Sequence, residues 1–442
     1  MPDPAALERR LADVPRFATH GKVKRVTGLV VEATGLDIGL GDLCRITSQD
    51  GQFSALGEVV GFHEGGVLLM PLGELDGLHP GSSVQPLGRS VTVDVGEALL
   101  GRGLNGLGQP IDGGPRLTNT EKVPLSAEPP SPLTRQVITE PLETGVRALD
   151  GVLTIGRGQR VGIFAGSGVG KSTLLGMIAR NATADVNVIA LIGERGREVR
   201  DFIEHALGPE GLARSVVIVA TSDQAALVRA RGALLATAIA EWFRDQGKQV
   251  LLMLDSVSRV AYAWRDIGLA VGEPPTTKGY PPSVFANLPR LLERAGNGPV
   301  GGITGVYTVL VEGDDFNEPV ADQARSILDG HVVLTRSLAA AGHFPAIDVL
   351  ESKSRVRDQL INEPHRAAAN TLTRLEAAYR EKEDLILVGA YQKGTDPQVD
   401  AALQLREPIL GFLQQRADQP TAFADTVTSL AALARNAPAR RG

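Results

Sequence analysis

Three glycines alternate in the stretch FAGSGVGKST, Phe164 to Thr173, and Lys171, Ser172 and Thr173 follow them at once. RVGIF, just upstream, has the composition of a strand, and KSTLLGMIAR carries its apolar residues at helical spacing, so the glycines lie where a strand turns into a helix. Glycine reaches positive φ without steric cost and lets the chain pass close to a ligand, so consecutive N–H groups can point inward at phosphate oxygens. The start of the helix adds free N–H donors and partial positive charge. Gly166, Ser167, Gly168, Val169, Gly170, Lys171, Ser172 and Thr173 therefore form a candidate phosphate cradle, with the Lys171 ammonium for the β- and γ-phosphates and the Ser172 hydroxyl for Mg²⁺. The first position of the pattern is Ala165, where glycine is general. A glycine-rich turn that binds nothing is the plain alternative.

Phosphate binding alone does not hydrolyse anything. A magnesium shell asks for a carboxylate at the end of a buried strand, and QVLLMLD supplies Asp255 after five apolar residues in succession. The same aspartate could instead cap the helix that starts near Ser256. Attack by water asks for a group that aligns or polarises it, and VNVIALIGERGREVRD places Glu194 at the end of another apolar strand. Sequence alone does not separate that glutamate from a surface carboxylate, and Arg197 and Glu198 read equally well as a solvated helix face.

These residues must be positioned by a scaffold. From Gln159 onward, apolar runs rich in β-formers alternate with helical patterns through QVLLMLD, which predicts an α/β fold, a mostly parallel sheet with helices on both faces. Upstream, from about Lys22 to Leu87, the short runs VTGLVVEA, LCRIT, LGEVVGF and GVLLMPL, separated by turns, read as a small barrel. No aromatic residue is interleaved there with basic ones, as a platform for single-stranded nucleic acid requires. Pro115, Pro124, Pro129, Pro130 and Pro132 make Gly113 to Glu140 an extended connection. Beyond about Asp358, NTLTRLEAAYREKED, VDAALQLREPILGFLQQ and TAFADTVTSLAALARN read as a helical C-terminal domain. At the other end, Leu7, Leu11 and Val14 recur at helical spacing, which fits a short amphipathic arm or a frayed tail.

Composition sets outer bounds. A chain of 442 residues suggests two or three domains, and its net charge of -6 gives no general electrostatic reason to bind nucleic acid. Cys44 is the single cysteine, so no internal disulfide forms and a reducing compartment is expected. Neither a signal-type apolar run nor a stretch of roughly eighteen apolar residues is present, so the expected address is cytoplasmic.

The motifs, taken in order, resemble a known superfamily. ETGVRALDGVLTIGRGQRVGIFAGSGVGKSTLL, preceded by VTVDVGEALLGRGLNGLGQPIDG, is similar to the rotary and secretion ATPases, whose members include the F-type ATP synthase α and β subunits. ARSVVIVATSDQ, GEPPTTKGYPPSVFANLPRLLERAGNG, YTVLVEGDDFNEPVADQARSILDGHVVLTR and YQKGTDPQVDAAL resemble the type III secretion ATPases, and the flagellar export ATPase in particular, over about Gly21 to Gln415. The resemblance implies an arm at 1–20, a β-barrel domain at 21–92, a RecA-like P-loop NTPase domain at 93–360 and a C-terminal helical domain at 361–442.

It also implies roles. Glu194 matches the catalytic glutamate of the family's GER motif, with Arg195 beside it, and Asp255 matches the aspartate of the magnesium shell of Mg²⁺ with ATP. Phe344 in AGHFPAID matches an aromatic that packs on adenine, and Tyr391 in AYQKG falls where a residue could close the same pocket; core packing is the other reading of both. His343 has no matched role and is expected to be an ordinary loop histidine. Arg355 in ESKSRVRD matches the arginine finger that reaches a neighbour's nucleotide, while Lys353 stands where an apolar residue is common. Because one sequence carries both glutamate and finger, the resemblance implies a homohexamer. It further implies a dimeric regulator at the N-terminal arm, a central coiled-coil stalk protein, export substrates with their chaperones, and a location at the base of the inner-membrane export gate. A rotary synthase subunit, a Rho-like RNA translocase and a non-catalytic nucleotide scaffold are the competing readings.

Overall fold

A computed structural model describes residues 20–88, 91–311 and 315–437. The residues of the expected amphipathic arm, Leu7, Leu11 and Val14, lie outside the described residues.

Six antiparallel strands close the expected barrel: β1 (Gly21–Thr27), β2 (Val30–Thr34), β3 (Leu43–Thr47), β4 (Ser54–His63), β5 (Gly66–Pro71) and β6 (Ser83–Pro86). Its centre is filled by alternating inward residues, among them Val23, Val31, Ile46, Leu69 and Val84. Barrel closure leaves no free edge inside this unit. The next strand, β7 (Thr92–Val95), leaves the barrel and pairs with β9 (Glu121–Pro124), while the short β8 (Gly103–Asn105) joins the large sheet. The connection from Gly113 to Glu140 is thus not wholly irregular: Glu121–Pro124 makes a short strand whose proline stands at its end, where a missing N–H is tolerated.

The large sheet has nine strands. Its order runs from β17 (Ile347–Ser354) through β16 (Gly330–Leu334), β10 (Arg160–Ala165), β15 (Gly302–Leu310), β13 (Gln249–Asp255), β11 (Val186–Ile192) and β12 (Ser215–Ala220) to β8, with β14 (Gly296–Asn297) beside β15. Every pairing along this path is parallel except that of β16 with β17. The period of two along each strand sorts side chains between two cores: Val188, Ala190 and Ile192 share one with α3 (Ala226–Asp245), α4 (Val257–Ala270), α5 (Pro282–Leu292) and α6 (Pro319–Ile327), while Ile189 and Leu191 share the other with α1 (Lys171–Asn181) and α2 (Gly196–Asp201). Both faces are buried, which is why the strands read as unbroken apolar runs.

The C-terminal helices α7 (Glu363–Leu387), α8 (Pro397–Gln404), α9 (Arg406–Leu413) and α10 (Phe423–Arg435) do not make a core of their own. Leu372, Leu375, Ile409, Phe412 and Leu430 belong to the same apolar cluster as Leu149, Val152 and the α1 residues Leu174 and Ile178. The run VDAALQLREPILGFLQQ, one helical pattern in the sequence, is split at Leu405. Pro408 explains the break, since it lacks the N–H that a continuous helix would donate to Gln404. Among the described residues, no helix is long and apolar enough to cross a membrane.

Candidate active site

Three strands deliver the site to one edge of the sheet. After β10, the chain turns through Gly168 and Gly170, whose φ values of +79° and +88° only glycine adopts without strain. Gly170 then opens α1, and no side chain caps that helix, so its first N–H groups remain available to a ligand. Ser167 is exposed on the loop and Ser172 and Thr173 on the first turn of α1, while Val169 is buried and anchors the loop. Ala165 proves to be the last residue of the strand, buried in its interior, so the pattern's missing glycine falls where the backbone needs no special freedom.

Asp255 ends β13, two strands from β10 across β15, and is 3% exposed. It does not cap the next helix: the Ser256 hydroxyl does, accepting the Arg259 N–H at 3.3 Å. Glu194 follows β11, the next strand over, and at 7% exposure it is no surface carboxylate. Gly193 makes its placement possible, with φ of +71° and room only for hydrogen: a Cβ there would lie 2.6 Å from the Arg259 Cδ. Arg259 donates to the Gly193 carbonyl at 2.5 Å and pairs with Glu194 at 3.5 Å.

Lys171 joins these pieces. Its ammonium donates to Glu194 at 3.3 Å and also to Asp255. Burial works against the lysine's charge, but the facing Asp255 and Glu194 outweigh it and raise its pKa above the ordinary value. Thr308, a polar position inside the apolar strand β15, donates to the same Asp255 oxygen at 2.6 Å. Sequence reasoning missed Thr308 and Arg259. A threonine in an otherwise apolar run, one of two in GITGVYTVL, was the available signal for Thr308, and only the fold brings Arg259 to Glu194.

The donors present suit Mg²⁺. This hard cation is held by one or two carboxylates together with substrate phosphates and water, so it needs no all-protein cage, and none is found among the described residues. The Asp255 carboxylate and the Ser172 hydroxyl are the oxygen donors that would hold it beside the loop.

Phe344, 45% exposed, stands over the loop, its ring 3.4 Å from where a Cβ on Gly170 would be. It borders a cavity of about 570 Å³ that opens beside Thr173, Leu174 and Met177 and is walled on its other side by residues 414–419. His343, beside it, lies in a loop as expected and is buried there, and burial, with Arg406 nearby, lowers its pKa.

Three expected residues are not brought to this centre by the chain's own fold. The Arg195 side chain is 77% exposed and pairs with Glu198 at 3.3 Å, and Arg197 pairs with Asp201, so both belong to a solvated helix face. The Tyr391 hydroxyl donates to the Asp396 carbonyl and to Asp400, both at 3.0 Å, and its ring borders a different cavity, with Pro397 and Gln404. Arg355 follows the antiparallel strand β17, whose end pairs Ser354 with Gly330, whereas the loop lies at the Leu334 and Ala165 end. The length of β16, roughly 13 Å of strand, thus separates Arg355 from its own loop. Its side chain is exposed and donates to the Arg325 carbonyl at 3.3 Å. Lys353 points to solvent from β17, so its charge disturbs no packing.

Known proteins match the sequence and the fold over nearly the whole chain. Residues 145–354 match the ATP synthase alpha/beta family nucleotide-binding domain, 23–88 that family's beta-barrel domain, and 361–432 the T3SS EscN ATPase C-terminal domain. A flagellum-specific ATP synthase from Bacillus subtilis is 52% identical over 95% of this chain and 96% of its own length. A type 3 secretion system ATPase from Xanthomonas euvesicatoria is likewise 52% identical, over 96% of each. The assembled ATPase EscN of enteropathogenic E. coli superposes with a TM-score of 0.89 at 47% identity, covering 94% of this chain and 100% of that one. The same ATPase in complex with its central stalk EscO gives 0.86 at 46%, again over 94% and 100%. With loop, Glu194 and Asp255 at one sheet edge and relatives matched from barrel to C-terminal helices, the chain belongs to the ATP synthase alpha/beta family, as an ATPase of its type III export branch.

Proposed function

We propose that this ATPase works as a homohexameric ring that energises protein export in the flagellar type III apparatus. One observation carries the reading: a single chain holds the loop, Glu194 and Asp255 on one edge of its sheet and Arg355 on the opposite edge. Identical subunits set head to tail would therefore complete one another's sites.

In such a site the backbone N–H groups of 166–173 and the Lys171 ammonium bind the triphosphate, Lys171 exchanging its two carboxylates for phosphate oxygens. Ser172 and Asp255 would hold the Mg²⁺ that accompanies ATP, and the ion supplies neutralisation of phosphate charge. Glu194, released from Lys171, aligns the attacking water. The water's oxygen bonds to the γ-phosphorus as the bond to the bridging oxygen breaks, and the water's proton passes to the Glu194 carboxylate, giving ADP and phosphate. Arg355 of the neighbour meets the charge that develops on the transferred group, a contribution of roughly 10³ to 10⁵ in rate for such fingers. The Phe344 ring packs on the adenine. Arg195, exposed in the single chain, would act across the same joint, and Tyr391 keeps a supporting place in the connection between α7 and α8.

Glu194→Gln tests the chemistry. Turnover of the assembled protein should fall by roughly 10² or more while ATP binding survives; undiminished turnover refutes the assignment.

The central stalk of the EscN complex suggests a coiled-coil partner for the ring here as well. The remaining partners, a dimeric regulator on the N-terminal arm and chaperone-bound substrates passed to the membrane export gate, complete the reading. Removing residues 1–18 should abolish regulator binding and leave hydrolysis intact. A second reading, an injectisome ATPase, is favoured by the equal 52% identity to the Xanthomonas protein. Deleting the gene separates the two, through loss of motility in one case and loss of effector secretion in the other.

A further inference from the structure

The cavity beside Phe344 has walls from two parts of the chain. The nucleotide-binding core gives one wall; the other is the segment 414–419, which joins α9 to α10 and has no regular structure of its own. Core side chains hold this segment and the chain on either side of it. The Arg147 guanidinium donates to the carbonyls of Phe412 at 2.8 Å and Gly411 at 3.1 Å, to the Thr421 hydroxyl at 3.2 Å, and also to the Gln414 carbonyl. Arg180, in the last turn of α1, donates to the Ala417 carbonyl at 2.8 Å. Gln415 closes the network: its N–H donates to the Phe344 carbonyl at 2.8 Å, its side-chain amide to the Gly145 carbonyl at 2.7 Å, and its Oε1 accepts the Arg147 N–H at 2.8 Å.

Arg147 thus faces neutral oxygens, and burial lowers its pKa, the reverse of a guanidinium seated for an ion pair. Five donors in a fixed planar fork are suited to gripping several carbonyls at once, which a lysine ammonium does less completely. Arg180 adds a mechanical link. The helix whose first residue is Lys171, in the phosphate cradle, carries at its far end the arginine that holds the opposite wall of the cavity. One rigid rod therefore relates the phosphate end of the site to the base end.

We propose that Arg147 and Arg180 are positioning residues that fix the 414–419 wall against Phe344, so that the base is bound only while these arginines grip the C-terminal segment. This rests on the reading of the Phe344 cavity as the base site. Arg147→Ala in the full chain should raise KM for ATP roughly tenfold or more while kcat changes little, because the phosphate and water-aligning groups are untouched. Inhibition by tripolyphosphate, which has the phosphates and no base, should be unchanged. Arg147→Lys should recover part of the loss, and Arg180→Ala, which removes a single grip on the wall, serves if Arg147→Ala does not fold. Phe344→Ala is measured alongside. A raised KM in Phe344→Ala with unchanged KM in the arginine variants overturns the clamp alone, whereas unchanged KM in all of them overturns the base site too. Equal weakening of ATP and tripolyphosphate in the arginine variants also overturns the proposal, since a generally loosened fold would do that.

Discussion

At the scale of single residues, the site is a set of opposite charges around one ammonium. Lys171 lies between Glu194 and Asp255, and the orientation of Asp255 is fixed from behind by Thr308 at 2.6 Å. Replacing that threonine by valine keeps the shape and removes the hydrogen bond. The concentration of Mg²⁺ needed for half-maximal hydrolysis should rise roughly tenfold, as for other supports of metal-binding carboxylates; an unchanged Mg²⁺ requirement would show that Thr308 only packs. The placement of Lys171, Ser172 and Asp255 beside one another at the sheet edge was legible because glycines at strict spacing and strand-terminal acids have few other uses. Thr308 and Arg259 were not, since each acts on a residue distant in sequence, and contacts of that kind appear only when parallel strands set their ends side by side.

At the scale of elements, two turns bear strain or burial for the sake of the site. Gly193 takes a positive φ against Arg259, so Gly193→Ala should cost about 1–3 kcal/mol and displace Glu194. Thermal denaturation and kcat are the measurements, and both should fall together. The second turn is Thr144–Val146, pinned by Asp150, which accepts the Thr144 N–H and hydroxyl at 2.9 and 2.7 Å and the Gly145 N–H at 2.9 Å. Burial raises the Asp150 carboxyl to about 7 despite those hydrogen bonds. The folded chain therefore keeps this proton to higher pH than the unfolded chain does. Stability should fall as pH rises from about 4 to about 7 and level off above, by on the order of 4 kcal/mol from this group. Asp150→Asn should flatten that part of the stability profile, and a slope identical to the parent's would dismiss the effect. The alternation of strands and helices was legible from periodicity. The break at Leu405 was overlooked because the apolar pattern runs on through Pro408, and the β9 strand because prolines dominate its neighbourhood.

At the scale of the whole molecule, the barrel, the sheet and the C-terminal helices are tied together rather than strung out. Arg231 of α3 meets Glu58 of the barrel at 3.1 Å in a buried position, and the C-terminal helices share the core of the sheet. The barrel keeps a core of its own, whereas the change of sequence style near Asp358 marks no separate core, since the helices beyond it share that of the sheet. In the proposed ring, Arg355 is the feature whose meaning exceeds one chain. Arg355→Ala should lower kcat by roughly 10³ with ATP still bound. Mixing Lys171→Ala subunits with Arg355→Ala subunits should restore measurable hydrolysis, because some joints then pair an intact loop with an intact finger. Mixtures that stay inactive despite shown co-assembly would place the finger elsewhere.

The two opposed edges of the sheet give each subunit a direction, and direction has an arithmetic. A row of such subunits, however long, always leaves one loop at its end without a finger, so an open row of n chains has n − 1 working joints. Closure into a ring is the arrangement that spends no loop and no finger idly. Specific activity should therefore climb in steps with assembly and reach its ceiling when the last joint closes, a heterologous contact rewarding symmetry with function.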